Sequence, residues 1–179
     1  MDIKEVAYHE AGHAVVGFLF YPPIVKTTII PSDGCFGNTI CEIPNPILFE
    51  EFDNYLLFPE YFKIALYCWA GEYFQKIINP MLDINGLKND KELFDFYFFK
   101  KERIEAFVHF KDSILKSFFT NEITTKITVE VAEKLLMNET LYHSDIELIL
   151  SKYTYDFEQQ IILLMDEFYI SICKYCSEF

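Results

Sequence analysis

Hydrophobic residues recur with a helical period in the first stretch of the chain. From residue 3 to residue 20, apolar side chains return every three or four positions, which predicts a helix with one core-facing sector. Pro22 and Pro23 end this predicted helix. The sector holds two histidines among apolar neighbours and consists of Val6, His9, His13, Val16 and Phe20. We therefore expect both imidazoles to face the interior.

A pattern typical of β-structure follows the helix. Residues 24 to 30 are rich in β-branched side chains, which favour a strand. Residues 31 to 34, with the sequence Pro-Ser-Asp-Gly, predict a turn. Residues 36 to 43 predict a second strand that Pro44 and Pro46 stop. Because proline cannot donate to a β-ladder, this second strand is expected at a sheet edge.

From about residue 59 the pattern is helical almost to the end of the chain. Helices are predicted over residues 61–78, 89 to about 119, 128–138, 144–153 and 156–175. The chain has neither an internal repeat nor a Gly/Ser-rich linker, so a single domain is predicted over residues 1–179. The predicted fold class is mainly α with a small β-hairpin or sheet, that is, α+β.

Composition and charge narrow the functional classes. A hydrophobic fraction of 51%, with 19 Phe and 12 Tyr, predicts a packed core rather than disorder. The formal net charge of -13 argues against nucleic-acid binding, because phosphate contacts need clustered Lys and Arg. No signal peptide is expected, since residues 1–5 are not a basic region followed by an apolar stretch. No membrane span is expected, since the apolar run at residues 14–20 is too short. Five irregularly spaced cysteines favour reduced thiols and a cytoplasmic location.

The predicted first helix carries the pattern His9-Glu10-Ala11-Gly12-His13, an HExxH motif. A spacing of four puts both imidazoles on one face, within reach of one zinc ion. Glu10 lies at the flank of that face, where its carboxylate can act as the base for the attacking water. The alternative is a chance match. It is weakened because two of only four histidines interrupt an apolar stripe, where a buried imidazole needs a partner.

A catalytic zinc ion takes three protein ligands, so a third ligand is required. No third histidine follows the motif at short spacing. His109 and His143 are candidates on chemistry alone, although surface or helix-face positions suit them better. A carboxylate from a later helix is the better expectation.

Beyond the motif, the chain resembles the protease domain of the FtsH-type ATP-dependent zinc proteases, peptidase family M41. The resemblance begins with residues 6–17, VAYHEAGHAVVG. It continues in the order of the family through VKTTIIP at 25–31, GNT at 37–39, AGE at 70–72, GLKND at 86–90, VAEKLL at 131–136 and ETL at 139–141. These blocks are distributed between residues 6 and 141, which is most of the length of the chain.

The resemblance implies a ligand and a substrate-binding segment. It makes Asp90, the aspartate of the GLKND block, the third zinc ligand. It also implies that Gly37, Asn38 and Thr39 form an exposed edge to which a polypeptide substrate adds as an extra strand. An ordinary hairpin arm is an equally good interpretation of those three residues.

The sequence also departs from the family. It has no Gly-x-x-x-x-Gly-Lys-Ser/Thr phosphate loop, Glu72 stands where the family has arginine, and Gln75 and Lys76 stand where it has two acids. We therefore expect a free-standing zinc metalloendopeptidase domain that cleaves unfolded or flexible polypeptides, either acting on already extended chains or using a separate AAA+ ATPase. Further copies of the chain, in a homo-oligomer, are the other candidate partner. The alternative is a zinc-binding regulatory or partner module with little turnover, against which the intact Glu10 argues.

Overall fold

The structure is a computed structural model that describes residues 2–21, 23–32, 34–42, 58–80, 90–92 and 115–153. Within these residues the main helices are α1 (Ile3–Phe20), α2 (Phe58–Ile78), α3 (Glu122–Asn138) and α4 (His143–Leu150). The strands in the same described ranges are β1 (Ile24–Thr28), β2 (Asn38–Cys41) and β3 (Thr140–Leu141). Residues 90–92 and 115–120 are also helical. The predicted class, mainly α with a small sheet, is confirmed.

Helix α1 begins and ends where the sequence predicts. Asp2 caps it by accepting a hydrogen bond from the backbone N–H of Lys4 at 3.2 Å, and Glu5 returns one by accepting from the N–H of Asp2 at 3.1 Å. The prediction of a single core-facing sector was too narrow. Eleven residues around the helix are buried: Val6, Ala7, His9, Glu10, Ala11, Gly12, His13, Ala14, Val15, Val16 and Gly17.

Small side chains explain why α1 is buried on several faces. Helices α2 and α3 and the sheet all pack against it. At Gly12 a methyl group would lie 2.6 Å from the carbonyl oxygen of Ala70, so glycine allows the backbones of α1 and α2 to approach closely. Phe20, assigned to the predicted sector, is only partly buried. The consequence is that both histidines of α1 face a neighbouring helix rather than solvent.

The three strands form one antiparallel sheet in the order β2-β1-β3. Both predicted strands exist but are shorter than expected, and the predicted turn carries Gly34 at a φ of 82°. Strand β3 was not predicted, because two residues are too few to produce an alternating pattern. Within the described residues β2 has a neighbour on one side only, as expected of an edge strand.

The remaining helices close the core over α1. Helix α2 starts three residues before its predicted start, α4 covers the first part of its predicted range, and α3 starts six residues early. The side chain of Asn121 caps α3, accepting from the N–H of Ile123 at 2.9 Å. The predicted helix from residue 89 is helical at 90–92 and 115–120, and its middle lies outside the described residues, as does the predicted helix at 156–175. The single-domain assignment stays a prediction.

None of the described helices combines the length and the apolar character needed to cross a membrane.

Candidate metal centre

Three side-chain atoms from distant parts of the chain converge on one point. Nε2 of His9 and Nε2 of His13 are 3.2 Å apart. Oδ2 of Asp90 lies 3.0 Å from the first nitrogen and 3.3 Å from the second. Atoms that bind a tetrahedral zinc ion at about 2.0–2.1 Å stand roughly 3.3 Å from one another. The triangle therefore has the size that three zinc ligands require.

Hydrogen bonds on the far side of each ring orient the two histidines. Nδ1 of His9 donates to Oε1 of Gln75 at 3.2 Å. Nδ1 of His13 donates to the backbone carbonyl oxygen of Tyr67 at 2.8 Å. Because both oxygens can only accept, each Nδ1 carries a hydrogen, so Nε2 is the nitrogen of each ring that can lose its proton and bind a metal ion. This arrangement is the usual support for metal-binding histidines.

Positive charge on the imidazoles balances the Asp90 carboxylate at the triangle. Oδ2 of Asp90 is buried and makes no hydrogen bond of normal geometry within the described structure. Burial lowers the pKa of His13, but the neighbouring Asp90 carboxylate outweighs it and raises that pKa to about 9. Burial likewise raises the pKa of Asp90, but His13 and His9 outweigh it and hold the pKa below its usual range. In the metal-free chain a proton therefore balances the carboxylate, in the place that a metal ion would take.

Helix α2 leaves room for an ion where it passes the triangle. A methyl group on Gly71 would lie 2.5 Å from Nε2 of His13 and 2.7 Å from Nε2 of His9. Only glycine keeps this space open. The donor set, two imidazoles and a carboxylate, is one that zinc accepts in catalytic sites. His9, His13 and Asp90 thus fit a zinc ion in size, charge and available space.

Glu10 lies beside the triangle, between α1 and the sheet. Its Oε2 accepts a hydrogen bond from Oγ1 of Thr39 at 2.8 Å. Burial raises the pKa of Glu10, although the two imidazoles partly oppose it. A carboxylate with a raised pKa is a stronger base than one exposed to water.

The three residues predicted to hold substrate lie at the start of β2, each in a different environment. Gly37 packs on α1 so closely that a methyl group there would lie 2.8 Å from Cγ of Glu10. The side chain of Asn38 is exposed, and that of Thr39 points inward to Glu10. The structure thus brings Gly37 and Thr39 to the candidate centre, while the binding of substrate to this edge stays a prediction.

Of the two alternative histidines, His143 lies in the described part of the chain and takes no part in the triangle. His143 begins α4, where its ring stacks on Phe18 with centroids 4.8 Å apart. Its Nδ1 accepts a hydrogen bond from the backbone N–H of Ile24 at 3.4 Å. His109 lies outside the described residues.

No role was predicted for Tyr67, Gly71 or Gln75, which all lie on α2 and contact the two histidines. The small Ala70-Gly71 pair inside an aromatic helix was the one signal that could have indicated a close approach.

No protein-family model matches this chain, and no curated protein matches its sequence. The resemblance to the M41 proteases consequently remains a prediction from sequence blocks.

Proposed function

We propose that this protein is a zinc-dependent metalloendopeptidase, related to the M41 proteases, that hydrolyses peptide bonds in unfolded or flexible polypeptides. One observation carries the proposal. Nε2 of His9, Nε2 of His13 and Oδ2 of Asp90 lie within 3.0 to 3.3 Å of one another, with the buried carboxylate of Glu10 beside them. A purely structural zinc site with the same three ligands would not need a base such as Glu10 beside it.

Each residue has a distinct role in the proposed reaction. His9, His13 and Asp90 would hold the zinc ion. When bound, zinc would polarise the carbonyl group of the substrate and lower the pKa of the attacking water. Thr39 engages Oε2 of Glu10, which leaves Oε1 to accept the proton of the attacking water and deliver it to the leaving amine. Gln75 and Tyr67 keep the imidazoles in the tautomer that leaves Nε2 available.

The proposed substrate class follows from strand β2. An extended polypeptide can pair with a strand edge through main-chain hydrogen bonds, which depend little on sequence. Gly37, Asn38 and Thr39 offer such an edge next to Glu10. Flexible segments can reach it without prior unfolding, whereas folded substrates call for a separate AAA+ ATPase or an assembly of copies. The thiols of Cys41 and Cys68, which form no disulfide in the described part of the chain, suit a reducing, cytoplasmic setting.

The test combines metal analysis with cleavage of an unstructured protein. We expect one zinc per chain, with cleavage that disappears on chelation and returns when zinc is added. A matched pair of substitutions locates the site. His13→Gln should lose both zinc and cleavage, while His143→Gln should keep both, because His143 contacts Phe18 and Ile24 instead.

Two other outcomes would overturn the proposal. Zinc bound in stoichiometric amount without any cleavage favours a zinc-binding regulatory or partner module. A wild-type chain that binds no zinc after reconstitution contradicts both functions.

A further inference from the structure

We propose that Thr39 is a positioning residue, whose hydroxyl holds the Glu10 carboxylate against strand β2. We also propose that Tyr67 links this strand to the metal centre by hydrogen bonds to Thr39 and His13. The inference rests on the proposed peptidase function and extends it. It assigns to β2 a second task besides pairing with substrate, which is to hold the base in the orientation that the reaction needs.

The contact between Thr39 and Glu10 is short and specific. Oγ1 of Thr39 lies 2.8 Å from Oε2 of Glu10 and 3.2 Å from the backbone oxygen of the same residue. A hydroxyl has one hydrogen, and a carboxylate is the stronger acceptor, so the shorter contact takes it. The backbone of Thr39 is held in turn by β1, where it pairs with Thr27. The donor therefore belongs to a fixed strand.

Tyr67 of α2 connects that strand to the histidine ligands. Its hydroxyl donates to the carbonyl oxygen of Thr39 at 2.9 Å, and its own carbonyl oxygen accepts from Nδ1 of His13 at 2.8 Å. Its ring is buried, and burial raises the pKa of the phenol well above its usual value, so the hydroxyl stays a donor. One residue thus supports both a candidate zinc ligand and the strand beside it.

These contacts form a continuous path from His13 through Tyr67 and Thr39 to Glu10. A polypeptide that pairs with the edge of β2 is placed relative to the same backbone that orients the base. The position of the scissile bond and the position of the Glu10 carboxylate are therefore set by one strand.

Substitutions of Thr39 test the coupling directly. Thr39→Val keeps the β-branched shape and removes the hydroxyl. We expect kcat per bound zinc to fall about 10- to 100-fold, the range for a hydrogen bond to a charged group. KM and zinc content should stay within about twofold of wild type, because the backbone of β2 and the three ligands are unchanged. Thr39→Ser restores the hydroxyl and should recover most of kcat.

The matched control removes another threonine hydroxyl from the same sheet. Thr28 bonds to the backbone oxygen of Glu139 and to Thr140, not to Glu10. Thr28→Val should therefore leave kcat per zinc unchanged. If Thr39 were merely structural, Thr39→Val would lower zinc content and thermal stability and leave kcat per bound zinc at the wild-type value, which overturns the proposal.

The role of Tyr67 is tested by combining substitutions. Tyr67→Phe removes the hydroxyl and keeps the carbonyl that holds His13. It should lower kcat per zinc on its own, but add nothing in the Thr39→Val background, because it acts through Thr39. Fully additive losses would contradict the proposed path.

A spectroscopic measurement separates this inference from the peptidase proposal. The infrared difference between wild type and Glu10→Gln isolates the carboxylate band of Glu10. In the zinc-loaded protein we expect Thr39→Val to shift that band, and Thr39→Ser and Thr28→Val to leave it in place. An unshifted band in Thr39→Val overturns the positioning role whether or not the protein cuts peptides. Failure of the peptidase proposal is seen separately, as zinc-loaded wild type without cleavage.

Discussion

Gly71 and His13 lie so close together that a methyl group on Gly71 would be 2.5 Å from Nε2 of His13. The same methyl group would lie 2.7 Å from Nε2 of His9. A carbon at that point would collide with both imidazole rings and push their Nε2 atoms out of place. The glycine of α2 is therefore as much a part of the candidate centre as the residues that would bind the ion.

The first prediction follows from that contact. Gly71→Ala should reduce zinc affinity by more than about 100-fold, the upper end for changes outside the ligands themselves, because the methyl group displaces both imidazoles. Competition with a zinc chelator measures the effect. Thr28→Val is the control, since the Thr28 hydroxyl contacts Glu139 and Thr140 and no residue of the centre. Tight zinc binding by Gly71→Ala would show that the ion lies elsewhere.

The second prediction concerns the support of His9. Gln75→Leu removes the oxygen that accepts from Nδ1 of His9, so the ring loses its fixed tautomer. We expect zinc affinity to fall about 10- to 100-fold. Gln75→Glu keeps an acceptor at the same position. It should bind zinc clearly more tightly than Gln75→Leu does. Equal affinities of the two variants would contradict a role for this hydrogen bond.

The third prediction is a pH dependence of zinc binding. In the metal-free chain the Asp90 carboxylate, acting against the effect of burial, raises the pKa of His13 to about 9. Zinc must displace that proton, so affinity should rise about tenfold per pH unit between roughly pH 7 and 8, with release of about one proton. Calorimetry in buffers of different ionisation enthalpy counts the proton. Affinity that does not change over this range would contradict the ion pair.

The same shift gives a fourth prediction, on the stability of the metal-free chain. The pKa of His13 is higher in the folded state, about 9 against an ordinary value of 6.5. Its contribution to the free energy of unfolding is therefore complete below pH 6.5 and is lost as the pH rises through about 9. Thermal denaturation across this range measures it. Zinc-loaded protein is the control, because the ion replaces the proton, and an equal loss there would point to another group.

The local parts of the centre could be predicted from sequence, because their geometry follows from helix periodicity. His9 and His13 share a face of α1 however the helices pack together, because they are four residues apart in one helix. Glu10 is adjacent to His9 in the same helix and therefore lies at the flank of that face. Asp90 was reached only through the resemblance, and the structure brings its carboxylate to the two imidazoles. Its distance along the chain carries no periodic signal.

The supporting contacts could not be predicted, because they depend on how α2 packs against α1. Gln75 meets His9 across 66 residues of chain, and His13 meets a backbone oxygen of Tyr67, which no side-chain pattern can indicate. The early start of α3 was missed for a different reason. Its first turn after Asn121 is polar, although the asparagine itself is a recognisable cap.

The central claim is that Glu10 acts as the base in zinc-dependent cleavage of peptide bonds. The most direct measurement is the cleavage rate per bound zinc of Glu10→Gln, compared with wild type on one unstructured substrate. Glu72→Gln is the matched control, since that buried carboxylate pairs with Lys76. We expect Glu10→Gln to bind zinc like wild type and to lose at least about 100-fold in rate, the lower range for a general base. Cleavage by Glu10→Gln at the wild-type rate per zinc would contradict the account.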